Sequence, residues 1–195
     1  MNKAKAERRN QILKAGARLF ASKRFDEVLM DDIAQAAGVA KGTLYTYFPN
    51  KEEFYFAVIF DGISRLNEQL QNKADKPMAP EEKLRQIMGS LISFFRQNRF
   101  FFKLMSIEDH KNEKGSGTNR KRWRQERRKQ MDVIEGVLQS GIDQGLFNIR
   151  HVKTEASILR DMVRSVLQSS GNSLSVDEMV EITMRIFLKG ISSKK

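Results

Sequence analysis

The 195-residue chain predicts an all-α protein, and three observations carry that expectation. No segment sustains the alternation of apolar and polar residues that marks a half-buried strand. Apolar residues recur instead at three- and four-residue spacing along most of the chain. Only three prolines occur, Pro49, Pro77 and Pro80, and each falls in or beside an expected loop.

The spacing predicts helices near 4–22, 30–37, 41–47, 51–73, 80–98, 100–110, 120–144, 152–170 and 176–190. Polar or glycine-bearing loops are expected at KADKPMA, KNEKGSGTN, LFNIRH and SGNSL. Pro49 disfavours helical geometry at Phe48 and so separates the third helix from the fourth. Asn50 is the expected cap of the fourth, with Glu53 in the third position and acids near the positive end of the dipole. Ser175 and Glu178 have capping-box spacing, and Leu174 and Met179 have the spacing of a hydrophobic staple.

Composition removes several function classes. The chain is long enough for one or two domains with a sizeable core. It has no cysteine, hence no disulfide, thiolate zinc site or cysteine nucleophile, and its two histidines, His110 and His151, stand far apart. No metal and no cofactor are expected. A serine triad would have to use one of these histidines, both near expected loops, with no motif around any serine, so an enzyme is not expected. The start, MNKAKAERRN, has no apolar core like that of a signal peptide, and no apolar run approaches the roughly 18 residues of a membrane span. The expectation is a soluble cytoplasmic protein with no membrane partner.

The net charge of +11 points to an anionic partner. Its distribution is uneven: residues 111–130 hold 9 basic and 2 acidic side chains, whereas 1–60 hold 10 and 7. Within that block RKRWRQERRK, Arg120 to Lys129, gathers Arg120, Arg124, Arg127 and Arg128 on one helical face, with Trp123 turned toward a core stripe shared by Gln130 and Ile134. Three readings of the block stay open: a non-specific contribution to nucleic-acid affinity, a solvated face that maintains solubility, and a contact with an acidic effector headgroup or protein partner.

DDIAQAAGVAKGTLYTYFPNKEEF, from Asp31 to Phe54, meets the requirements of a helix-turn-helix. Ile33, Ala34 and Ala37 form the packed face of a short helix, Gly38 supplies a left-handed turn, and Val39 is expected to plug the core. A step of 100° per residue places Leu44, Tyr47 and Phe48 on the buried side of the second helix, and Lys41, Gly42, Tyr45 and Thr46 on the other. Small residues let a backbone approach a duplex, while tyrosines supply hydroxyls for phosphates and ring edges for base methyls.

The string IAQAAGVAKGTLYTYFPNKEEF resembles the tetracycline-repressor (TetR) family of bacterial one-component regulators, with a specific match from about Gln11 to Phe54. The rest of the chain is similar in length and helix pattern, with short echoes such as Gly145–Phe147. The resemblance implies a helix-turn-helix DNA-binding domain over 6–66, with the motif itself at about 29–48, and a helical effector-binding and dimerisation domain over 67–195. It implies that Ala40, Lys41, Gly42, Thr43, Tyr45 and Thr46 face the groove, and that Tyr47 and Lys51 hold phosphates. Two departures stand out. Val28-Leu29 replaces the usual Thr-Thr or Thr-Ser anchor of the second helix, leaving Asp31 as the expected cap. Arg24 replaces the glycine that usually ends the first helix in a left-handed turn.

Bulky, adaptable residues crowd the segments 80–98, 100–110 and 120–144. Met88, Phe95, Phe101, Phe102, Met105, Trp123 and Met131 are the expected lining of an apolar effector pocket, with ordinary core packing as the alternative. The segments 152–170 and 176–190 carry apolar faces broader than one core contact needs. The resemblance implies a four-helix homodimer interface there, for which Leu159, Met162, Val163, Val166, Ile182, Ile186 and Phe187 are the candidates, and a dimer reading a near-palindromic operator in double-stranded DNA. The function expected is a repressor released by a small apolar or amphipathic effector. The alternatives are an activator or a regulator that answers to no ligand.

Overall fold

A computed structural model describes residues 3–98 and 118–191, and among them all regular structure is helical. The helices are α1 (Lys3–Ser22), α2 (Met30–Ala36), α3 (Lys41–Tyr47), α4 (Lys51–Ala74), α5 (Pro80–Gln97), α6 (Thr118–Asp143), α7 (Val152–Ser170) and α8 (Val176–Ile191). The helix expected at 100–110 lies outside the described residues. The chain divides into two compact units: one holds residues 3–64 with 98 and 118–121, and the other holds 65–97 and 122–191.

In the first unit α2 packs on α1 and on α3. The core is aromatic, with the Phe54 ring 4.9 Å from that of Phe48 and 6.0 Å from that of Phe20. Gly16 makes room for it, because a Cβ there would lie 2.1 Å from the tip of Phe54. Any larger residue would push α1 off the ring. The Gln11 side chain ties α1 to the end of α2, its Nε2 donating to the Ala37 carbonyl at 2.9 Å.

In the second unit α5, α7 and α8 pack on one another. Their facing rows are fully buried: Leu84, Ile87, Met88, Leu91 and Ile92 from α5, Ala156, Leu159 and Val163 from α7, and Met179 and Met184 from α8. At Gly89 an added Cβ would meet Val180 of α8 at 3.7 Å, an ordinary contact, so α8 does not need a glycine there. At the end of α6 the Leu146 and Gly145 amides fold back onto the carbonyls of Gly141 and Ile142, the paired bonds of a Schellman motif. Gly145 takes the positive φ of 69° that this ending needs.

The anticipated caps are present. Asn50 Oδ1 accepts the Glu53 amide at 2.8 Å. Ser175 and Glu178 exchange both bonds of a capping box, Ser175 N–H to Glu178 Oε2 at 2.7 Å and Glu178 N–H to Ser175 Oγ at 3.2 Å. Pro80 opens α5, where its missing N–H would have been unpaired in any case.

Candidate nucleic-acid interface

The turn between α2 and α3 is a second Schellman ending. Val39 N–H donates to Ala34 at 3.0 Å and Gly38 N–H to Gln35 at 3.1 Å, with Gly38 at φ 63°. Val39 is half-buried rather than a full plug. From this turn α3 runs with Leu44 fully buried and Phe48, just past its end, 3 % exposed. Ala40, Lys41, Gly42, Tyr45 and Thr46 are exposed, and Thr43 and Tyr47 are half-buried. Tyr47 therefore sits on the boundary between faces instead of with Leu44 and Phe48, because a ring at that angle reaches past the edge of the core.

The exposed face is ordered by its own contacts. Lys41 Nζ reaches both oxygens of Asp31, at 2.9 and 3.0 Å. The hydrogen bond to Asp31, reinforced by that carboxylate's charge, holds the Lys41 ammonium above the ordinary lysine range. Thr46 Oγ1 donates to the Gly42 carbonyl at 2.9 Å, which leaves its lone pairs outward. A Cβ on Gly42 would meet nothing within 4 Å. Glycine inside a helix costs about 0.5–1 kcal/mol relative to alanine, and nothing among the described residues asks for it here.

Around this face stand residues whose part sequence spacing did not show. Lys5 Nζ lies 6.0 Å from the centre of the Tyr47 ring, and the Arg9 guanidinium 5.4 Å from that of Phe48. These put cations of α1 beside the C-terminal end of α3. Lys51 Nζ donates to the Phe25 carbonyl at 2.9 Å and lies 4.5 Å from the centre of the Phe25 ring, so its ammonium anchors the loop before α2. Two expectations for that loop are corrected. Asp31 does not cap α2. Leu29 occupies the cap position, 60 % exposed, and its N–H donates to Asp32 Oδ2 at 3.3 Å, while Asp31 is taken up by Lys41. Arg24 needs no left-handed backbone, for no non-glycine among the described residues has positive φ. Its N–H donates to Glu27 Oε2 at 2.8 Å and its carbonyl accepts from Glu27 N–H, a tight turn that does the glycine's work.

In the second unit Met88, Phe95, Trp123 and Met131 are all buried. Phe101, Phe102 and Met105 lie outside the described residues. The basic block follows its helical wheel in part: Trp123, Gln130 and Ile134 are buried and Arg124 and Arg128 are exposed, whereas Arg127 is half-buried and donates to Gln130 Oε1. Part of its charge is matched locally, since Arg128 pairs with Asp132 at 2.6 Å and Glu135 at 3.0 Å. Arg120's side chain lies outside the described set. Of the candidate dimer residues, Leu159, Val163 and Phe187 are buried within their own unit. Their broad faces supply the subunit's core first, so these three are unavailable to a partner. Met162, Val166 and Ile182 are half-buried, and Ile186 is 57 % exposed, with Ile158 beside that strip at 51 %. Ile182 and Ile186 line a groove between α7 and α8 together with Met162, Val166, Ser165 and Ser169.

Comparison with known proteins places this geometry. The family model for bacterial regulatory proteins of the tetR family matches residues 12–58, and that for the tetracyclin repressor-like C-terminal domain matches 77–191. The chain is 31 % identical over 110 residues to the uncharacterized HTH-type transcriptional regulator YerO of Bacillus subtilis, covering 53 % of this chain and 36 % of that protein. It is 22 % identical over 143 residues to the fatty acid metabolism regulator protein of Bacillus subtilis, covering 73 % and 72 %. Among solved structures, the transcriptional regulator FadR from Bacillus subtilis in complex with stearoyl-CoA has the same fold, with a TM-score of 0.76 at 17 % identity over 93 % of this chain and 98 % of that one. The chain spans between about a third and a half of the length of the first curated relatives it matches. With a helix-turn-helix match at its start and a C-terminal match over more than half its length, the chain belongs to the TetR family of bacterial transcriptional regulators.

Proposed function

We propose that the chain is a sequence-specific DNA-binding repressor, active as a homodimer in the cytoplasm and released from its operator by a small apolar or amphipathic effector. The observation that supports it best is α3: Lys41, Gly42, Tyr45 and Thr46 exposed over a buried Leu44, with open space above Gly42. A helix built this way suits a surface that comes from outside, and the major groove admits one α-helix. Tyr47, with Lys5 and Arg9 near it, suits the flanking phosphates. Thr43 and Ala40 stand at the groove edge in the same reading, and Lys51 acts by holding the loop before α2 and adding charge. The domain division at 66/67 belongs to this reading, with DNA binding before it and effector binding and dimerisation after it. No helix among the described residues is long and apolar enough to cross a membrane.

Footprinting on the DNA upstream of the protein's own gene tests this. Protection of a near-palindromic segment is expected, and protection of none at any concentration that also spares random DNA contradicts it.

The dimer rests on the strip Ile158, Met162, Val166, Ile182 and Ile186, left uncovered or half-covered in the subunit. On a two-fold axis a charge placed there faces its own copy. Ile186→Glu is therefore expected to leave the melting temperature of the monomer unchanged and to weaken self-association at least about tenfold, as for a residue at an interface centre. Sedimentation at micromolar concentration reads it; an unchanged dimer moves the interface elsewhere.

The effector reading rests on the buried soft residues Met88, Phe95, Trp123 and Met131, with Phe101, Phe102 and Met105 carried over from the sequence. FadR's complex with stearoyl-CoA supports an amphipathic ligand class for this fold. The release mechanism is a population shift, in which the effector favours a dimer whose two α3 helices are wrongly spaced for adjacent grooves.

A further inference from the structure

Among the buried polar residues of the second unit, three lie on α4 and α6: Asn67 of α4 at 7 % exposure, and Glu126 and Gln130 of α6 at 6 % and 1 %. Asn67 Nδ2 donates to both the backbone carbonyl and Oε2 of Glu126, at 2.9 and 3.1 Å. Glu126 Oε1 accepts from Lys129 Nζ at 2.9 Å, and Gln130 Oε1 accepts from the Arg127 guanidinium. These bonds fix which way both amides point. They leave one acceptor, Asn67 Oδ1, and one donor, Gln130 Nε2, buried with no partner.

Buried groups without partners are rare and destabilising, and apolar side chains of the same size would avoid the penalty. Here two occur close together, since Asn67 is bonded to Glu126, and Glu126 and Gln130 are one helical turn apart on the face that also carries Trp123 and Ile134. Their chemistry is complementary to one kind of group. A carbonyl or hydroxyl oxygen would satisfy Gln130 Nε2, and an N–H or O–H would satisfy Asn67 Oδ1. A carboxylate offers Asn67 no hydrogen. An ammonium offers Gln130 no acceptor.

We infer that Asn67 and Gln130 form the polar end of the effector site and select an uncharged headgroup that both donates and accepts a hydrogen bond, such as a primary amide or an alcohol, on an apolar body. The inference rests on the effector reading above and narrows it: the pair asks for a headgroup that both donates and accepts, and the buried Trp123, Met88, Phe95 and Met131 of the same unit suit the apolar remainder. Glu126 and Lys129 act as positioning residues, holding Asn67 so that its oxygen stays free.

The test uses three ten-carbon probes that differ only at the head: decanamide, decanoate and decylammonium. Trp123 is the protein's single tryptophan, and its place one turn before Glu126 makes its emission the reporter of binding to the full chain. Decanamide is expected to bind about tenfold tighter than either charged probe, because a site built to hydrogen-bond a group discriminates against analogues that cannot. Gln130→Met is expected to abolish that preference, since it removes the donor. Gln130→Glu keeps the size and the Arg127 acceptor and replaces the donor by a carboxylate oxygen, so it covers the case in which Gln130→Met fails to fold; it too should lose the preference for decanamide, with the added negative charge favouring decylammonium instead. Equal binding of all three probes overturns the headgroup inference and leaves the effector reading standing, and is also the result of a bound water satisfying both orphans. Binding of none of the three overturns the effector reading and this inference together. A decanamide preference that survives Gln130→Glu overturns the assignment to Gln130.

Discussion

The first unit keeps its unanswered chemistry on the surface, and the second keeps it inside. On α3 the open positions are exposed, the space over Gly42 is empty, and Lys41 and Thr46 rest on partners an incoming surface can replace. On α6 the open positions, Gln130 and its neighbour Asn67 on α4, are sealed from solvent. An exposed helix face suits a macromolecule, which brings its own surface and needs only room for approach. A sealed donor and acceptor suit a molecule small enough to enter a helical bundle. The same fold thus presents two kinds of vacancy, and their placement agrees with the proposed division into a DNA-reading unit and a ligand-reading one.

Two glycines break or sharpen that contrast with the largest effect. The space beside Gly16 is filled from within, since a Cβ there would come within 2.1 Å of Phe54, whereas Gly42 faces open space. Gly16→Val is expected to destabilise the first unit by about 1–3 kcal/mol or more through overpacking, read by thermal unfolding. Gly42→Ala is expected to stabilise the protein by about 0.5–1 kcal/mol and yet to weaken operator binding about tenfold, comparable to one mismatched base pair. If Gly42→Ala left operator affinity intact, the empty space over α3 would have no bearing on DNA.

A smaller effect is expected at Asp31. Asp31→Asn removes a negative charge from the proposed interface and frees Lys41, so affinity for random DNA should rise on the order of fivefold. The ratio of operator to random affinity should fall, because Lys41 loses the partner that orients it. Binding titrations on both duplexes at two salt concentrations measure this, and a ratio that stays constant while both affinities rise would reduce Asp31 to a bystander charge.

The smallest expected effect lies in the second unit, at the start of α8. The Ser175 backbone N–H, aided by its hydroxyl, holds the Glu178 carboxyl below the usual glutamate value of 4.5. A depressed folded value means that Glu178's contribution is fully present above the ordinary value and is lost as pH falls through the lower folded one. Amide exchange in the first turn of α8 should therefore accelerate at acid pH in the wild type, beyond the intrinsic pH dependence of exchange. Glu178→Gln should flatten that response; an unchanged response would assign the acid sensitivity to other carboxylates.

What is legible in the sequence is what a helix encodes locally. The caps at Asn50 and Ser175 involve partners three residues apart, and the two faces of α3 follow from a constant angle per residue. Contacts across turns and between helices are not legible. Lys41 and Asp31 are ten residues apart across a turn, Lys51 and Phe25 are twenty-six apart, and Asn67 and Glu126 are fifty-nine apart. Periodicity says that such residues share no helix face and nothing more. The apolar faces of α7 and α8 are visibly broad in the sequence, but periodicity cannot divide them. Only packing shows that Leu159, Val163 and Phe187 serve the subunit core while Ile186 remains outside.

The central claim is that the exposed side of α3 binds DNA, and the double variant Lys41→Ala with Tyr47→Phe tests it most directly. Both changes spare the buried Leu44 and Phe48, so the fold should be retained. Binding to the protected upstream segment, measured over a range of salt, should weaken, and the slope of log affinity against log salt should shallow by about one unit for the lost phosphate-contacting lysine. Affinity and slope both equal to those of the wild type would mean that α3 is not the helix that meets DNA.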